Sequence, residues 1–214
     1  MNAPAPYLPP DPAALASEPT WSDEDRARAD HYALLARLFF SPPDSALLAG
    51  LVQTAKLLGN GESPFAQAWA VLGETAAKSD AAAVNAEYET LFYGIGRPEV
   101  MLYGSYYLAG FLMEEPLAHL RDDLANLGLA RRGGVAETED HIAALAEVMR
   151  HLVLTGPDEA GLARQRHFFG RHLQPWYPRL ADALLSAPHA AFYARVAVLM
   201  KVFFDIESEA FAMD

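Results

Sequence analysis

Apolar residues recur at three- and four-residue spacings along most of the chain, which is the period of amphipathic α-helices. The segment that follows Ser22 shows this pattern, with Leu34, Leu35, Leu38 and Phe39 on one face. β-Branched residues are sparse, and no alternating run between turn residues predicts a strand hairpin. The pattern therefore predicts an all-α protein, built as a single globular bundle of about eight to ten helices.

Polar residues mark where several of these helices begin. Each predicted N-cap precedes an apolar-periodic segment, and its side-chain oxygen can accept a hydrogen bond from a free N–H of the first turn. These predicted N-caps are Ser22, Asp44, Ser63 and Asp80. One long helix is predicted from about residue 105 to residue 127, and a further helix is predicted to begin at Thr138.

Prolines and glycines divide the chain into four predicted segments. Residues 1–20 are rich in proline and contain no basic residue, so they are predicted to form a flexible tail rather than a secretory signal. Residues 21–127 are predicted to form an N-terminal helical subdomain, and residues 138–214 a C-terminal one. The stretch 128–137 contains three glycines and is predicted to be a hinge loop within one globule.

The composition narrows the class of partner. The chain has 28 acidic and 16 basic residues and a net charge of −12, which argues against nucleic acid and favours a cationic partner. There is no cysteine, and the apolar run Val100–Met113 has only fourteen residues. A helix needs about 20 residues to cross a bilayer. We therefore expect a cytoplasmic protein without membrane insertion.

Motifs of common catalytic sites are missing from the sequence. There is no His-Glu-x-x-His, no phosphate-binding loop ending in Gly-Lys-Ser/Thr and no Gly-x-Ser-x-Gly elbow, so catalysis is not expected. The seven histidines do not converge at helical spacing, so no metal site is expected. Residues 161–181 contain four arginines and no acidic residue. This segment is either a solvated helix face or a basic patch for a nucleotide or an acidic partner.

The first group of candidate functional residues is Glu137-Thr138-Glu139-Asp140-His141. With Thr138 as N-cap, the next three residues would fill the first helical turn, where the helix dipole stabilises each acid by about 0.3–1 kcal/mol. His141 is predicted to be neutral and half-buried at the edge of the apolar stripe. Asp140 is predicted to lie further round the helix, towards solvent or a neighbouring element, and to be available to a cation. Helix capping and a binding role account for these residues equally well.

The second group is the aromatic segment 88–113. It contains tyrosines and phenylalanines on both sides of a loop broken by glycine and proline. Tyrosine combines an apolar ring with a polar tip and is favoured at binding surfaces. The rings are therefore either core residues or the lining of a groove, and the loop residues 93–104 favour the groove.

Together the two groups resemble the signatures of the TorD/DmsD family of cytoplasmic chaperones for molybdenum-containing redox enzymes. The first signature is an aromatic residue, Leu-Phe, a loop and aromatic-Gly-Ser-aromatic. It reads here as Tyr88, Leu91-Phe92, a ten-residue loop and Tyr103-Gly104-Ser105-Tyr106. The second signature is Glu-Pro-x-Asp-His, which reads here as residues 137–141 with Thr138 in place of proline. The resemblance covers roughly residues 28 to 205.

The resemblance implies a non-enzymatic chaperone of a partner oxidoreductase. Such a protein binds the twin-arginine leader of the apo catalytic subunit, assists insertion of the molybdopterin guanine dinucleotide cofactor and delays export. The alternative is an assembly chaperone for a non-exported subunit of the nitrate-reductase type. A nucleotide-binding helical protein is a third reading. The chaperone itself is expected to hold no stable cofactor and at most to bind a nucleotide weakly, and both a monomer and a domain-swapped dimer fit.

The resemblance also implies roles for particular residues. Asp140, together with Glu137, would meet the leader arginines, and His141 would fix the hinge or contact the leader backbone. The remaining expected leader- or client-binding residues, which would line or support an apolar groove, are Tyr88, Phe92, Tyr103, Ser105 and Tyr106.

Overall fold

A computed structural model describes residues 21–94, 98–131, 134 and 136–213. The predicted tail, residues 1–20, lies outside the described residues. Within the described ranges the chain forms ten α-helices and no β-strand, which confirms the predicted all-α fold. The helices are α1 (Asp23–Phe40), α2 (Ser45–Leu58), α3 (Pro64–Lys78), α4 (Ala81–Tyr88), α5 (Gly104–Ala109), α6 (Glu115–Asn126), α7 (Ile142–Thr155), α8 (Glu159–His172), α9 (Tyr177–Ser186) and α10 (Phe192–Met213).

The capping residues define the first four helices as predicted. The side chains of Ser22, Asp44, Ser63 and Asp80 each accept a hydrogen bond from an N–H of the first turn, at 2.8 to 3.3 Å. A π-helical turn, Glu89–Tyr93, continues α4, so the chain remains helical as far as the aromatic segment.

The prediction of one long helix over residues 105–127 is wrong, because the segment forms two helices, α5 and α6. The chain leaves α5 at Gly110, whose φ of +85° is the left-handed conformation that glycine adopts without a Cβ clash. It re-enters a helix at Glu115, followed by Pro116 in the first turn. The connection exposes Phe111 and Met113 to solvent. The apolar period of the segment is therefore interrupted by a turn that the glycine permits.

Helices from both predicted halves build one hydrophobic core. Helix α1 packs mainly against α7, and α10 packs against α3, α4 and α9. The largest buried side chains, Trp69, Trp176, Tyr32 and Tyr193, belong to the same hydrophobic cluster. The division into subdomains at residues 128–137, and the hinge, stay predictions. The packing of α1 against α7 nevertheless holds these two helices side by side, so that residues from both can line one site.

Two carboxylates, the buried Glu207 and the half-buried Glu87, connect distant helices. Glu207 on α10 accepts two hydrogen bonds from Arg28, at 2.8 and 2.9 Å, and one from the hydroxyl of Tyr32 at 2.8 Å. Although burial alone would lower the pKa of Arg28, its contacts with Glu207 raise it above its usual range. Glu87 on α4 accepts three N–H bonds from residues 191–193 at the start of α10, at 2.8 to 3.0 Å. These contacts anchor both ends of α10 to the N-terminal half.

Candidate functional site

The fold brings the two predicted groups of residues into direct contact. Tyr103 and His141 form an isolated antiparallel bridge. The N–H of Gly104 donates to the carbonyl of Asp140 at 2.9 Å, and the N–H of Ile142 donates to the carbonyl of Leu102 at 2.8 Å. The aromatic segment and the acidic segment, more than thirty residues apart in the chain, therefore form one structural unit.

Asp140 lies inside this unit, with only 3% of its surface exposed. One carboxylate oxygen accepts from the N–H and the hydroxyl of Ser105, at 2.9 and 2.5 Å, and the other accepts from the hydroxyl of Thr138 at 2.6 Å. The expectation that Asp140 is available to a cation is therefore wrong for this structure, because its acceptors are already occupied by neighbouring donors. Ser105 is also buried, and its hydroxyl accepts from the N–H of Met113.

The start of α7 also differs from the prediction. His141, and not Thr138, is the N-cap, and its Nδ1 accepts from the N–H of Ala143 at 3.1 Å. The ring is 5% exposed, more deeply buried than predicted, and lies edge-on to the ring of Tyr103. Burial lowers the pKa of His141 to about 4 despite the nearby charges of Glu137 and Asp140. The predicted neutral state of the ring therefore fits its environment.

A cavity of roughly 530 Å³ opens beside His141. Its walls come from α1, the end of α6, the following connection and α7, and the exposed wall surface is mostly apolar. The lining residues are Ala36, Phe40, Leu124, Leu129, Ala130, Arg131, Glu137, Thr138, Glu139, His141, Ala143, Ala144, Glu147, Val148 and His151. Binding cavities for small molecules and peptide side chains are typically concave, apolar and of this size.

Three glutamates form the acidic rim of the cavity. Glu137 accepts a hydrogen bond from the hydroxyl of Tyr103. Glu139 accepts from Arg121 at 2.9 Å, and although burial opposes its charge, this bond lowers the pKa of Glu139. Glu147 pairs with Arg150, one helical turn away, at 3.2 Å and is half-exposed. The rim therefore carries three carboxylates, two of them paired with arginines, and Arg131 also lines the mostly apolar cavity.

The predicted aromatic residues are divided between the core and the surface. Tyr88 is buried and donates to the carbonyl of Phe39 at 3.0 Å, and Phe92 packs against it. Tyr103 is half-buried and donates to Glu137 of the rim, and burial followed by this bond raises the pKa of Tyr103. Tyr106 is half-buried beside Tyr107, away from the lining of the cavity. Of the predicted aromatic residues, Tyr103 is thus nearest to the acidic rim.

A second depression adjoins the first, and both share the ring of Phe40. It measures roughly 900 Å³ and is lined by polar and aromatic residues, including Tyr93, Glu89 and Glu99. Phe40 is the last residue of α1, and it is 57% exposed. Such exposure is unusual for an aromatic residue of a helix that packs into the core. The cavity and the second depression are therefore neighbours that share Phe40.

Several lining residues were not predicted from the sequence. Ala144, Glu147, Val148 and His151 lie on one face of α7, beside its buried stripe. Their spacing of three and four residues is the only sequence signal for this face. Phe40 carried no signal, because an aromatic residue at the end of an apolar helix is normally a core residue.

Two of the four arginines of residues 161–181 lie near Asp123, and a third lies near Pro175. Arg171 pairs with Asp123 at 3.4 Å, and Arg179 donates to the carbonyl of Pro175. Arg164 lines a small cavity next to His167. No group of three or more histidines or carboxylates in the described residues could hold a metal ion. In that same part of the chain, no helix is both long enough and apolar enough to cross a membrane.

The fold and the site define an all-helical protein with an acidic-rimmed apolar cavity at the junction of two sequence signatures. A model of the family described as nitrate reductase delta subunit matches residues 60–182, which is more than half of the chain. The chain therefore belongs to this family.

Individual relatives agree with the assignment. The chain is 25% identical over 169 residues to the chaperone protein TorD of Aliivibrio fischeri, covering 75% of this chain and 77% of that protein. It is 22% identical over 132 residues to the chaperone protein TorD of Vibrio parahaemolyticus, covering 58% and 61%. The fold resembles that of a proposed redox enzyme maturation protein from Archaeoglobus fulgidus, with a TM-score of 0.54, 18% identity and coverage of 87% and 94%. The predicted TorD-type family is thus confirmed.

Proposed function

We propose that this protein is a cytoplasmic chaperone that binds the N-terminal leader of the apo catalytic subunit of a molybdenum oxidoreductase. The observation that supports this most directly is the apolar cavity with its rim of three glutamates, Glu137, Glu139 and Glu147. A twin-arginine leader combines a basic region with an apolar region, which is the complement of this surface. The TorD relatives, which are named as chaperones, support the same activity.

The two parts of the site contribute differently to binding. Burial of apolar leader side chains against Leu124, Leu129 and Val148 provides most of the affinity. The glutamates attract the arginines, orient the leader and accelerate association. Asp140 acts as a positioning residue, since its carboxylate holds Ser105 and thereby the aromatic segment. Tyr88 and Phe92 support that segment from the core side, and no bond in the leader is made or broken.

Binding of the leader would keep the client from export until its cofactor is inserted. The molybdopterin guanine dinucleotide belongs to the client, and the chaperone would hold no cofactor stably. Its own contribution would be to cover the apolar leader, whose exposure promotes aggregation and premature export. Weak binding of a nucleotide stays a prediction. The oligomeric state, monomer or domain-swapped dimer, also stays a prediction.

A second candidate function is assembly of a molybdoenzyme subunit that is not exported. The match to the nitrate reductase delta subunit family favours this candidate. The client's N-terminus distinguishes the two functions. A client captured by the tagged chaperone from its native cells should carry an arginine pair followed by an apolar segment under the first function. Under the second it should lack this arginine pair.

Filling the cavity should abolish most of the leader binding. Ala144 lines the cavity and is half-buried, so Ala144→Leu would place a larger side chain in the space for the leader. We expect calorimetry with the synthetic leader of the captured client to show a Kd raised about tenfold or more, equivalent to about 1.4 kcal/mol. Ala118→Leu on the exposed face of α6 is the matched control and should bind as the wild type. Equal affinities for both variants would place the leader elsewhere.

Neutralising the rim should weaken binding in a salt-dependent way. Glu147→Gln removes one half-exposed charge and is expected to raise Kd about two- to fivefold at low salt, as for an exposed ion pair. The difference from the wild type should shrink as sodium chloride is raised towards 0.5 M, because salt screens exposed charges over about 10 Å or less. Glu62→Gln, an exposed glutamate outside the cavity lining, is the control. A salt-independent loss would contradict the electrostatic role of Glu147.

A further inference from the structure

Arginines of the same chain already lie at the acidic rim of the cavity. Arg121 on α6 donates to the carboxylate of Glu139 at 2.9 Å. Arg131, which itself lines the cavity, donates to the main-chain carbonyl of Glu137 at 3.2 Å. The guanidinium groups that a leader would bring to this rim therefore have counterparts within the chain.

The pair of Glu139 with Arg121 differs from the pair of Glu147 with Arg150. The latter two residues lie one turn apart on α7 and are both half-exposed, so that solvent reaches the carboxylate of Glu147. The side chain of Glu139 is only 13% exposed, whereas that of Arg121 is 52% exposed. Because little of the Glu139 side chain is open, a ligand cation can pair closely with it only by taking the place of Arg121.

The charges around Glu139 allow such an exchange. Although burial opposes its ionisation, the bond from Arg121 and the charges of Arg121 and Arg131 lower the pKa of Glu139. The carboxylate is therefore ionised at neutral pH and attracts a guanidinium from either source. Arg121 is half-exposed, and an ion pair near solvent contributes little, so its side chain can return to water at low cost.

We propose that Arg121 is a built-in competitor for the arginines of the leader, which occupies Glu139 in the free chaperone and is displaced when a leader arginine binds there. This inference rests on the proposed function and adds a regulation of the same site. The leader gains only the difference between two ion pairs. Arg121 is tethered beside Glu139, so it acts at a high effective concentration and recaptures the carboxylate when the leader dissociates. The competition keeps capture of the leader reversible.

Removing the competitor should tighten binding of the leader. Arg121→Gln frees the carboxylate of Glu139, and we expect calorimetry at low salt to show a Kd lowered about two- to fivefold, the range of an exposed ion pair. The probe is the synthetic leader of the captured client with its arginine pair. Arg26→Gln is the matched control, because Arg26 is also an exposed arginine next to an acid, Asp23, and lies outside the cavity lining. This control should bind as the wild type.

Two further measurements distinguish competition at Glu139 from a general change of charge. In a protein that already carries Glu139→Gln, Arg121→Gln should leave the affinity unchanged, because the competitor has no carboxylate left to occupy. For a leader in which both arginines are replaced by glutamine, Arg121→Gln should bind as the wild type. Thermal unfolding of each variant checks that the fold is retained.

An unchanged or weaker affinity of Arg121→Gln for the arginine-containing leader would overturn the proposal. The same conclusion would follow from an equal gain with Arg26→Gln, with the leader that lacks arginines, or in the protein that carries Glu139→Gln. In each of these outcomes the wild type still binds the leader, so the proposed function stands. If the wild type does not bind the leader, the proposed function fails and the competition fails with it.

Discussion

Replacing Glu207 by alanine is expected to lower the free energy of unfolding by about 3–5 kcal/mol. The side chains of Glu207 and Arg28 are 3% and 17% exposed, and the substitution leaves the guanidinium and the hydroxyl of Tyr32 without their common acceptor. A buried charge that loses its partner keeps its desolvation cost without the compensating attraction. Arg28 keeps its contacts with Asp25 and Gln165, which replace only part of the lost attraction.

Urea unfolding followed by circular dichroism would measure this loss. Glu209→Ala, on the exposed face of the same helix, is the control and should change the stability by no more than about 0.5 kcal/mol. A second variant separates charge burial from packing. The combination Arg28→Met with Glu207→Leu removes both charges and should recover much of the stability, because the desolvation cost disappears with them. Equal losses for the single and the double variant would show that packing, not the unpaired charge, is responsible.

Replacing Asp140 by alanine is expected to destabilise the protein by about 2–4 kcal/mol and to weaken leader binding. The substitution removes the acceptor of three hydrogen bonds and leaves the buried N–H of Ser105 unpaired. Because these bonds join the aromatic segment to the start of α7, their loss should also loosen the wall that carries Tyr103 and His141. The affinity should fall while its salt dependence stays that of the wild type, in contrast to the charge variant on the rim.

A double-mutant cycle with Ser105→Ala would isolate the contact. The coupling free energy between the two substitutions should be about 1–2 kcal/mol, since both remove the same interaction. Asp122→Ala, an exposed carboxylate on α6, is the control for a general loss of negative charge. If Asp140→Ala retained full stability and lost only the salt-dependent part of binding, Asp140 would contact the arginines directly, as its sequence position alone indicated.

The contrast between Asp140 and Glu147 changes how the acidic signature is understood. From the sequence, the acid next to His141 was the natural partner for a cation. In the structure, that carboxylate is buried and accepts hydrogen bonds from Ser105. Glu147, in the second turn of α7 and outside the signature, lines the open cavity. The signature therefore builds the wall of the site, and neighbouring residues complete its surface.

The residues that the sequence predicted best are those whose roles depend on near neighbours. Ser22, Asp44, Ser63 and Asp80 cap their helices as expected, because a cap needs only the three residues that follow it. The resemblance implied that both signatures take part in leader binding, but it did not predict that their backbones pair. The break at Gly110 was not predicted either, because apolar residues continue through the turn and hide it from a periodicity argument.

The sequence by itself determined the all-helical fold, the starts of the first four helices, the excess of negative charge and two groups of residues that meet beside the cavity. Only the tertiary structure decided that Asp140 is buried, that His141 rather than Thr138 begins α7, and that α1 supplies Phe40 to the cavity. The physical reason is the range of the interactions. Capping and helical periodicity act within one or two turns, whereas the exposure and the hydrogen-bond partner of a side chain depend on residues distant in the chain.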